Sequence, residues 1–233
     1  MPERPELVIA IDGPSGSGKS SVSRRVAAAL GLAYLDTGAI YRAATWWCLD
    51  KGVDLEDPAA VLAAVRELPL EMGVDPAAPG VSVGGVDVAE AIRTPQVTGA
   101  VSSVSSNLDV RAELRDRQRG AIAEQARADS FSQGRGIVAE GRDITTVIAP
   151  DADVRILLTA SEAARLARRA REVHGTADEH ALEATRAFVV QRDAADSTVT
   201  SFLEAADGVV LLDSSGIDLA ETVQRVLDLV EHR

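Results

Sequence analysis

Lysine is nearly absent from this chain of 233 residues. Of 24 basic residues only Lys19 and Lys51 are lysines; the other 22 are arginines. A GTPase normally reads guanine through an Asn-Lys-x-Asp motif. Lys51 lies in Leu49-Asp50-Lys51-Gly52, so that class is excluded. Aromatic residues make up 3% of the chain, which leaves Ala, Val, Leu and Ile to build the core. The single cysteine, Cys48, cannot close a disulfide within the chain and suits a reducing compartment. No apolar run approaches the roughly 18–20 residues of a membrane-spanning helix. Met1-Pro2-Glu3-Arg4-Pro5 offers neither the basic region nor the apolar stretch of a signal peptide. The expectation is therefore a cytoplasmic protein with no membrane partner. A formal net charge of −12 argues against general binding to nucleic acid, which needs a basic face.

What is present describes a globular chain. The 46% hydrophobic and 26% charged fractions are near the average for packed domains, and 233 residues suffice for one core with small inserted lobes. A genome-wide coding bias accounts for most of the preference for Arg over Lys, but not for where the arginines fall. Residues 50–91 carry nine acids against two bases, residues 93–119 five arginines against three acids, and residues 161–172 four arginines against two acids. Local arginine clusters in an acidic protein suit a small anionic ligand held by forked guanidinium contacts.

Leu7 to Ile11 is a short apolar run that reads as a buried parallel strand. From Ser20 onward Val22, Val26, Ala29 and Leu30 recur at helical spacing, and Gly31 stops that helix. Residues 33–35 read as a second strand. Asp57 caps a helix carrying Val61, Leu62, Val65 and Leu68. Residues 81–88 read as a β-hairpin turning at Gly84-Gly85. Helices are expected at about 109–127, 161–172 and 179–192, the latter with Leu182, Thr185, Phe188 and Val189 inward. Buried strands are expected at 137–139 and 154–158, a last strand at 209–212, and a final helix carries Leu219, Val223, Val226, Leu227 and Val230. Strands alternating with helices give an α/β chain with a mainly parallel sheet flanked by helices. The hairpin interrupts that alternation, so residues 55–100 look inserted.

Gly13-Pro14-Ser15-Gly16-Ser17-Gly18-Lys19-Ser20 matches G-x-x-x-x-G-K-[ST] at every fixed position, between a buried strand and an amphipathic helix. Glycines let main-chain N–H groups curl around phosphate oxygens, and the helix that follows aims its positive end at the anion. Lys19 would reach the β- and γ-phosphates of ATP, and the Ser20 hydroxyl would ligate Mg²⁺. The dinucleotide-binding fingerprint fails, because position 21 is Ser21 rather than a third glycine. A chain of this length with the loop near its start suits a small-molecule kinase.

Further segments carry a family likeness. Ile11 to Ser20, then Leu35-Asp36-Thr37-Gly38-Ala39-Ile40-Tyr41-Arg42, closely resembles bacterial cytidylate kinase, within the phosphate-loop nucleoside monophosphate kinases. The resemblance continues through Ala91-Ile92-Arg93-Thr94-Pro95, Val110-Arg111, Arg117-Gln118-Arg119, Glu140-Gly141-Arg142-Asp143, Arg192-Asp193 and Asp196-Ser197. It spans essentially the whole chain in order. It implies an adenylate-kinase-like single domain over 1–233, with an inserted monophosphate-binding lobe at about 38–108 and a lid at about 160–178. It implies transfer of the γ-phosphoryl of ATP to CMP or dCMP by a monomer. Gly13 to Ser21 would hold the donor phosphates. Arg42 and Arg142 would clamp the acceptor phosphate. Ser102, Arg111 and Asp143 would read the base, and Thr37 would support the nucleotide from a loop after Leu35. Arg192 and Asp196 would hold the sugar. Arg165, Arg168 and Arg169 would be lid residues stabilising the transferring charge. By themselves, Arg111, Arg115 and Arg119 read as a solvated helix stripe, and Arg142-Asp143 as a local ion pair.

Two positions depart from the family pattern. An arginine common after the Asp-Ser-Thr stretch is Val199 here, in a loop about two residues short, and restoring it is expected to tighten CMP binding. The glycine usual after Gly-Arg-Asp-Ile is Thr145. A kinase for another small acceptor, such as UMP or a metabolite acid, and a nucleotide-binding regulator without turnover are the competing readings.

Overall fold

The structure, a computed structural model, describes residues 4–198, 200 and 202–233; the side chains of residues 187, 188, 190–192, 195 and 196 fall outside the description. Among the described residues five parallel strands form the main sheet: β1 (Leu7–Asp12), β2 (Ala33–Asp36), β6 (Gly136–Gly141), β7 (Val154–Thr159) and β8 (Val210–Asp213). Their order is β2-β6-β1-β7-β8. The central strands read as unbroken apolar runs because both faces are covered. Alternate side chains divide between two cores. Leu7, Ile9 and Ile11 pack with Val22 and Val26 of α1 (Lys19–Leu30) and with Val226 and Val230 of α8 (Leu219–Glu231). Val8 and Ala10 face the opposite layer, with α2 (Thr37–Asp50), α3 (Pro58–Arg66) and α5 (Leu108–Glu124).

That second core extends without a break into a small antiparallel sheet, β3 (Leu70–Met72), β4 (Val81–Val83) and β5 (Val86–Asp87), through Val81, Val83, Val88 and Ile92. Gly84 and Gly85 both have positive φ, +59° and +78°, as a primed hairpin turn requires. α4 (Pro95–Ser105) starts with Thr94 as its cap and Pro95 in the first turn. The strand β3 and the helix α4 are additions to the sequence reading, which assigned no elements there. α5 ends at Glu124 and not near 127. After β7 come α6 (Glu162–His174) and α7 (Glu179–Ser197).

β8 is the sheet edge, so Val210 and Leu211 are exposed and only Leu212 is covered. Two expectations need correction. The inward stripe of α7 is Ala181, Thr185 and Val189, one residue every four, with Leu182 half-buried; the Phe188 side chain is outside the description. In α1 the buried alanine is Ala27, and Ala29 is exposed. Gly31 does end α1, in the left-handed conformation.

Candidate active site

β1 ends at Asp12 and β6 at Gly141, side by side in register. Chain direction diverges here, with α1 leaving to one face and α5 entering from the other, and open parallel sheets bind ligands at such points. A cavity of about 740 Å³ opens there. One wall is the phosphate loop, from Ser15 to Ser21. Gly13 and Pro14 are buried behind it; a Cβ on Gly13 would lie 2.1 Å from the Leu158 carbonyl oxygen. Gly18, at φ +92°, caps α1 without a side-chain hydrogen bond, leaving the first turn's N–H groups aimed into the loop. Lys19 Nζ donates to Pro14 O at 3.4 Å and lies 4.0 Å from Glu140 Oε2.

The opposite wall carries the arginines. Arg42, on α2, is buried and its guanidinium donates to Thr98 Oγ1 at 2.8 Å and to Ile92 O at 3.2 Å. Arg111, on α5, donates to Asp143 Oδ2 and to Ser105 O, and lies 5.6 Å from the centre of the Tyr41 ring. Arg142 donates to Gly13 O and sits 5.0 Å from the Phe202 ring centre. So Arg142 and Asp143 do not pair with each other: each turns to a different wall. Of the helix stripe, Arg111 faces the cavity, while Arg119 donates to Val147 O and Ile148 O.

Two buried carboxylates organise this end of the sheet. Asp12 accepts from Ile144 N at 2.9 Å, Thr145 N at 2.8 Å and Thr145 Oγ1 at 2.7 Å. It thereby pins the π-helical turn Ile144–Ile148, which follows directly on Arg142 and Asp143. Thr145 thus supplies a hydroxyl donor that a glycine could not. Burial raises the Asp12 carboxyl above its ordinary value, against the pull of these bonds and of the Arg142 charge. Glu140 Oε1 accepts from Ser20 Oγ at 2.5 Å and Tyr34 OH at 3.0 Å. Burial, then the charge of Asp36, raises it, while Lys19 opposes. Asp143 is raised mainly by burial, with Arg111 acting the other way.

The remaining expected residues fall as follows. Thr37 lines the cavity, but no loop precedes it: β2 runs to Asp36, which caps α2, and Thr37 Oγ1 donates to Glu140 O at 2.8 Å. Ser102 is turned off the cavity, where Val101 and Ser105, one helical turn apart, present the lining face of α4. Arg168 donates to Ser17 O at 3.0 Å and to Ser214, and Arg165 to Ser15 O at 2.9 Å. Arg169 lines the cavity and pairs with Glu172 at 2.7 Å. Side chains of Arg192 and Asp196, and residue Val199, lie outside the described residues. Sequence reasoning assigned no role to Asp12, Thr98, Asp193 or Phe202. It saw Glu140 and Arg93 only as letters of motifs, yet both line the cavity, with Arg93 3.6 Å from Asp36.

The loop fits a triphosphate: its backbone is held open by left-handed glycines, and cationic side chains surround it. Ser20 and the neighbouring carboxylates are hard oxygen donors of the kind Mg²⁺ accepts alongside substrate phosphates. Comparison with known proteins points the same way. The cytidylate kinase family model matches residues 9–232. A cytidylate kinase of Streptomyces coelicolor is 50% identical over 233 residues, covering 100% of this chain and 96% of that protein. One of Streptomyces avermitilis is 48% identical over 230 residues, 98% of this chain and 94% of that protein. Among solved structures, an uncharacterized protein from Eubacterium ventriosum aligns over 97% of this chain and 99% of its own, with a TM-score of 0.51 at 12% identity, a likeness of fold. Phosphate loop, arginine wall and full-length similarity agree, and the chain belongs to the cytidylate kinase family.

Proposed function

We infer that the protein transfers the γ-phosphoryl group of ATP to CMP or dCMP, giving ADP and the corresponding diphosphate. The observation that carries this reading is one cavity with a phosphate loop on one wall, Arg42, Arg111 and Asp143 on the other, and Arg142 reaching back to Gly13 O beside the loop. Two polyanions repel, so the protein's work is to neutralise and align them. The acceptor's phosphate oxygen attacks the γ-phosphorus, and the bond to the β–γ bridging oxygen breaks as ADP departs. No protein base is needed, because the acceptor oxygen is already ionised.

Lys19 and the loop N–H groups hold the donor, and the Ser20 hydroxyl would hold a Mg²⁺ brought with ATP, which would supply neutralisation of phosphate charge. Arg42 and Arg142 clamp the acceptor phosphate, and their anchors on Thr98 and Gly13 O restrict the two guanidinium groups. Asp143 accepts from the cytosine amino group while Arg111 donates to its ring acceptors. Thr37 supports the nucleotide through its contact with β6, and Ser102, next to Val101 of the lining, is assigned to the base on family resemblance alone. Arg192 and Asp196 are assigned to the sugar on family resemblance alone. Residues about 160–178 act as a lid over the donor, and residues about 38–108 as the acceptor lobe. The chain works as a cytoplasmic monomer. ADP release measured over CMP, dCMP, UMP and AMP with Mg²⁺ and ATP tests the reading. CMP and dCMP should dominate; turnover confined to another acceptor, or ATP binding without release, overturns it.

A further inference from the structure

Ser15 stands at the mouth of the phosphate loop, and both of its main-chain groups are taken by side chains from far along the chain. Its N–H donates to Asp193 Oδ1 at 3.0 Å. Its carbonyl accepts from Arg165 Nη1 at 2.9 Å. Arg165 also donates to Asp193 Oδ2, which closes a three-sided ring of contacts. Arg165 lies on α6 and Asp193 on α7. The approach is close: a Cβ on Gly16, at φ +76°, would lie 2.5 Å from the Arg165 main-chain oxygen, so helix backbone rests on loop backbone.

Asp193 is only 8% exposed. A carboxylate at that depth persists only where donors and cations replace water. It finds them in the Ser15 N–H and Arg165, with Arg142 Nη2 3.8 Å from Oδ1. Two hydrogen bonds on consecutive main-chain groups fix the peptide planes on either side of Ser15. Pro14 has no N–H, so the Ser15 N–H is the first donor after Gly13 and sets how the loop begins.

We propose that Asp193 and Arg165 are positioning residues for the phosphate loop: as a pair they hold both main-chain groups of Ser15, so the donor cradle takes its shape only when α6 and α7 are docked on it. Neither residue contacts the reacting atoms in this account. The arginine of α6 acts on phosphate through the loop, and the carboxylate of α7 ties that loop to Arg142 on the acceptor side. This rests on the kinase reading above for its effect on turnover, but not for its effect on donor binding.

The test is equilibrium binding of a fluorescent ATP analogue without acceptor, together with steady-state kinetics and thermal unfolding, for Asp193→Ala, Asp193→Asn, Arg165→Ala and the double Asp193→Ala/Arg165→Ala variant. Loss of a buried charge-assisted contact is expected to weaken donor binding about 10- to 100-fold. KM for ATP should rise more than KM for CMP. Asp193→Asn keeps an oxygen for the Ser15 N–H and should recover part of the loss. Because the pair acts as a unit, the double variant should be within about threefold of the worse single one. Donor affinity and kcat within about twofold of the parent, in folded Asp193→Ala and Arg165→Ala proteins, overturn the proposal. A lowered melting temperature with unchanged donor binding also overturns it, as it would show the pair merely joins helices. If Asp193→Ala does not fold, Asp193→Asn and Arg165→Lys are judged by the same criteria. Wild-type protein that binds the analogue but ignores CMP would sink the acceptor reading and leave this test standing.

Discussion

Lys19 and Asp12 show how differently two residues near one loop act. Lys19 is half-buried and its ammonium meets loop carbonyl and carboxylate oxygens, so its role is electrostatic. Lys19→Ala should lower kcat by about 100- to 1,000-fold, as loss of a charge-stabilising donor does. The melting temperature should stay within about 2 °C, since no buried apolar group is removed. Asp12 is the reverse case: it touches no cavity and fixes the turn behind Arg142 and Asp143. Asp12→Asn presents an amide where the carboxylate accepts from three donors, leaving at least one N–H without an acceptor, at a cost of about 1–3 kcal/mol. The pH dependence follows from the raised Asp12 carboxyl. The folded state binds the proton more tightly than the unfolded chain, so wild-type stability declines as pH rises through the folded value. The asparagine variant lacks that slope. Its stability deficit in urea unfolding should therefore shrink as pH rises from the ordinary carboxylate value through the raised folded one; a deficit that grows with pH contradicts the assignment. The motif letters around Lys19 were legible because the loop's chemistry is local in sequence. The duty of Asp12 was not, because its partners are 132 and 133 residues away.

At the scale of elements, one arginine that the sequence showed only as a letter of a family motif holds a support of the site. Arg117, on α5, donates to Val65 O, Arg66 O and Leu68 O at the end of α3. Arg66 O is one of the orphan acceptors that a helix end leaves, and Val65 O accepts from Leu68 N as well. Arg117→Ala should cost about 1–3 kcal/mol in chemical denaturation while kcat stays within twofold of the parent. A large kcat loss with unchanged stability would instead place Arg117 in the site. The hairpin at 81–87 was readable because two adjacent glycines match one turn geometry. The exposure of β8 was not readable: Val210 and Leu211 look like core residues, and the place of β8 at the edge of the sheet, among the described residues, leaves them in water. The α4 face was likewise ambiguous. Ser102 and Ser105 are equivalent as letters, and helix rotation decides which one meets the cavity.

For the whole molecule, donor and acceptor walls come from segments that converge only at the carboxyl ends of β1 and β6. Ligand binding to the folded state should therefore raise the melting temperature. At about 100 times its Kd each nucleotide adds about 2.7 kcal/mol, or roughly 5–10 °C here. Lys19→Ala should diminish the shift caused by ATP and spare that caused by CMP, and Arg42→Ala should do the opposite. Equal loss of both shifts in either variant would mean that the walls do not act separately. The apolar alternation of strands and helices, the glycine-lysine loop and the arginine-bearing motifs were determined by the sequence alone. Each depends on contiguous backbone geometry or on residue types a few positions apart. Tertiary structure alone decided that Glu140 closes on Ser20 and Tyr34, that Asp193 and Arg165 grip Ser15, and that Arg142 and Asp143 face different walls. Those are contacts across up to 178 residues of chain, and a one-dimensional pattern carries no information on which buried charge will meet which donor.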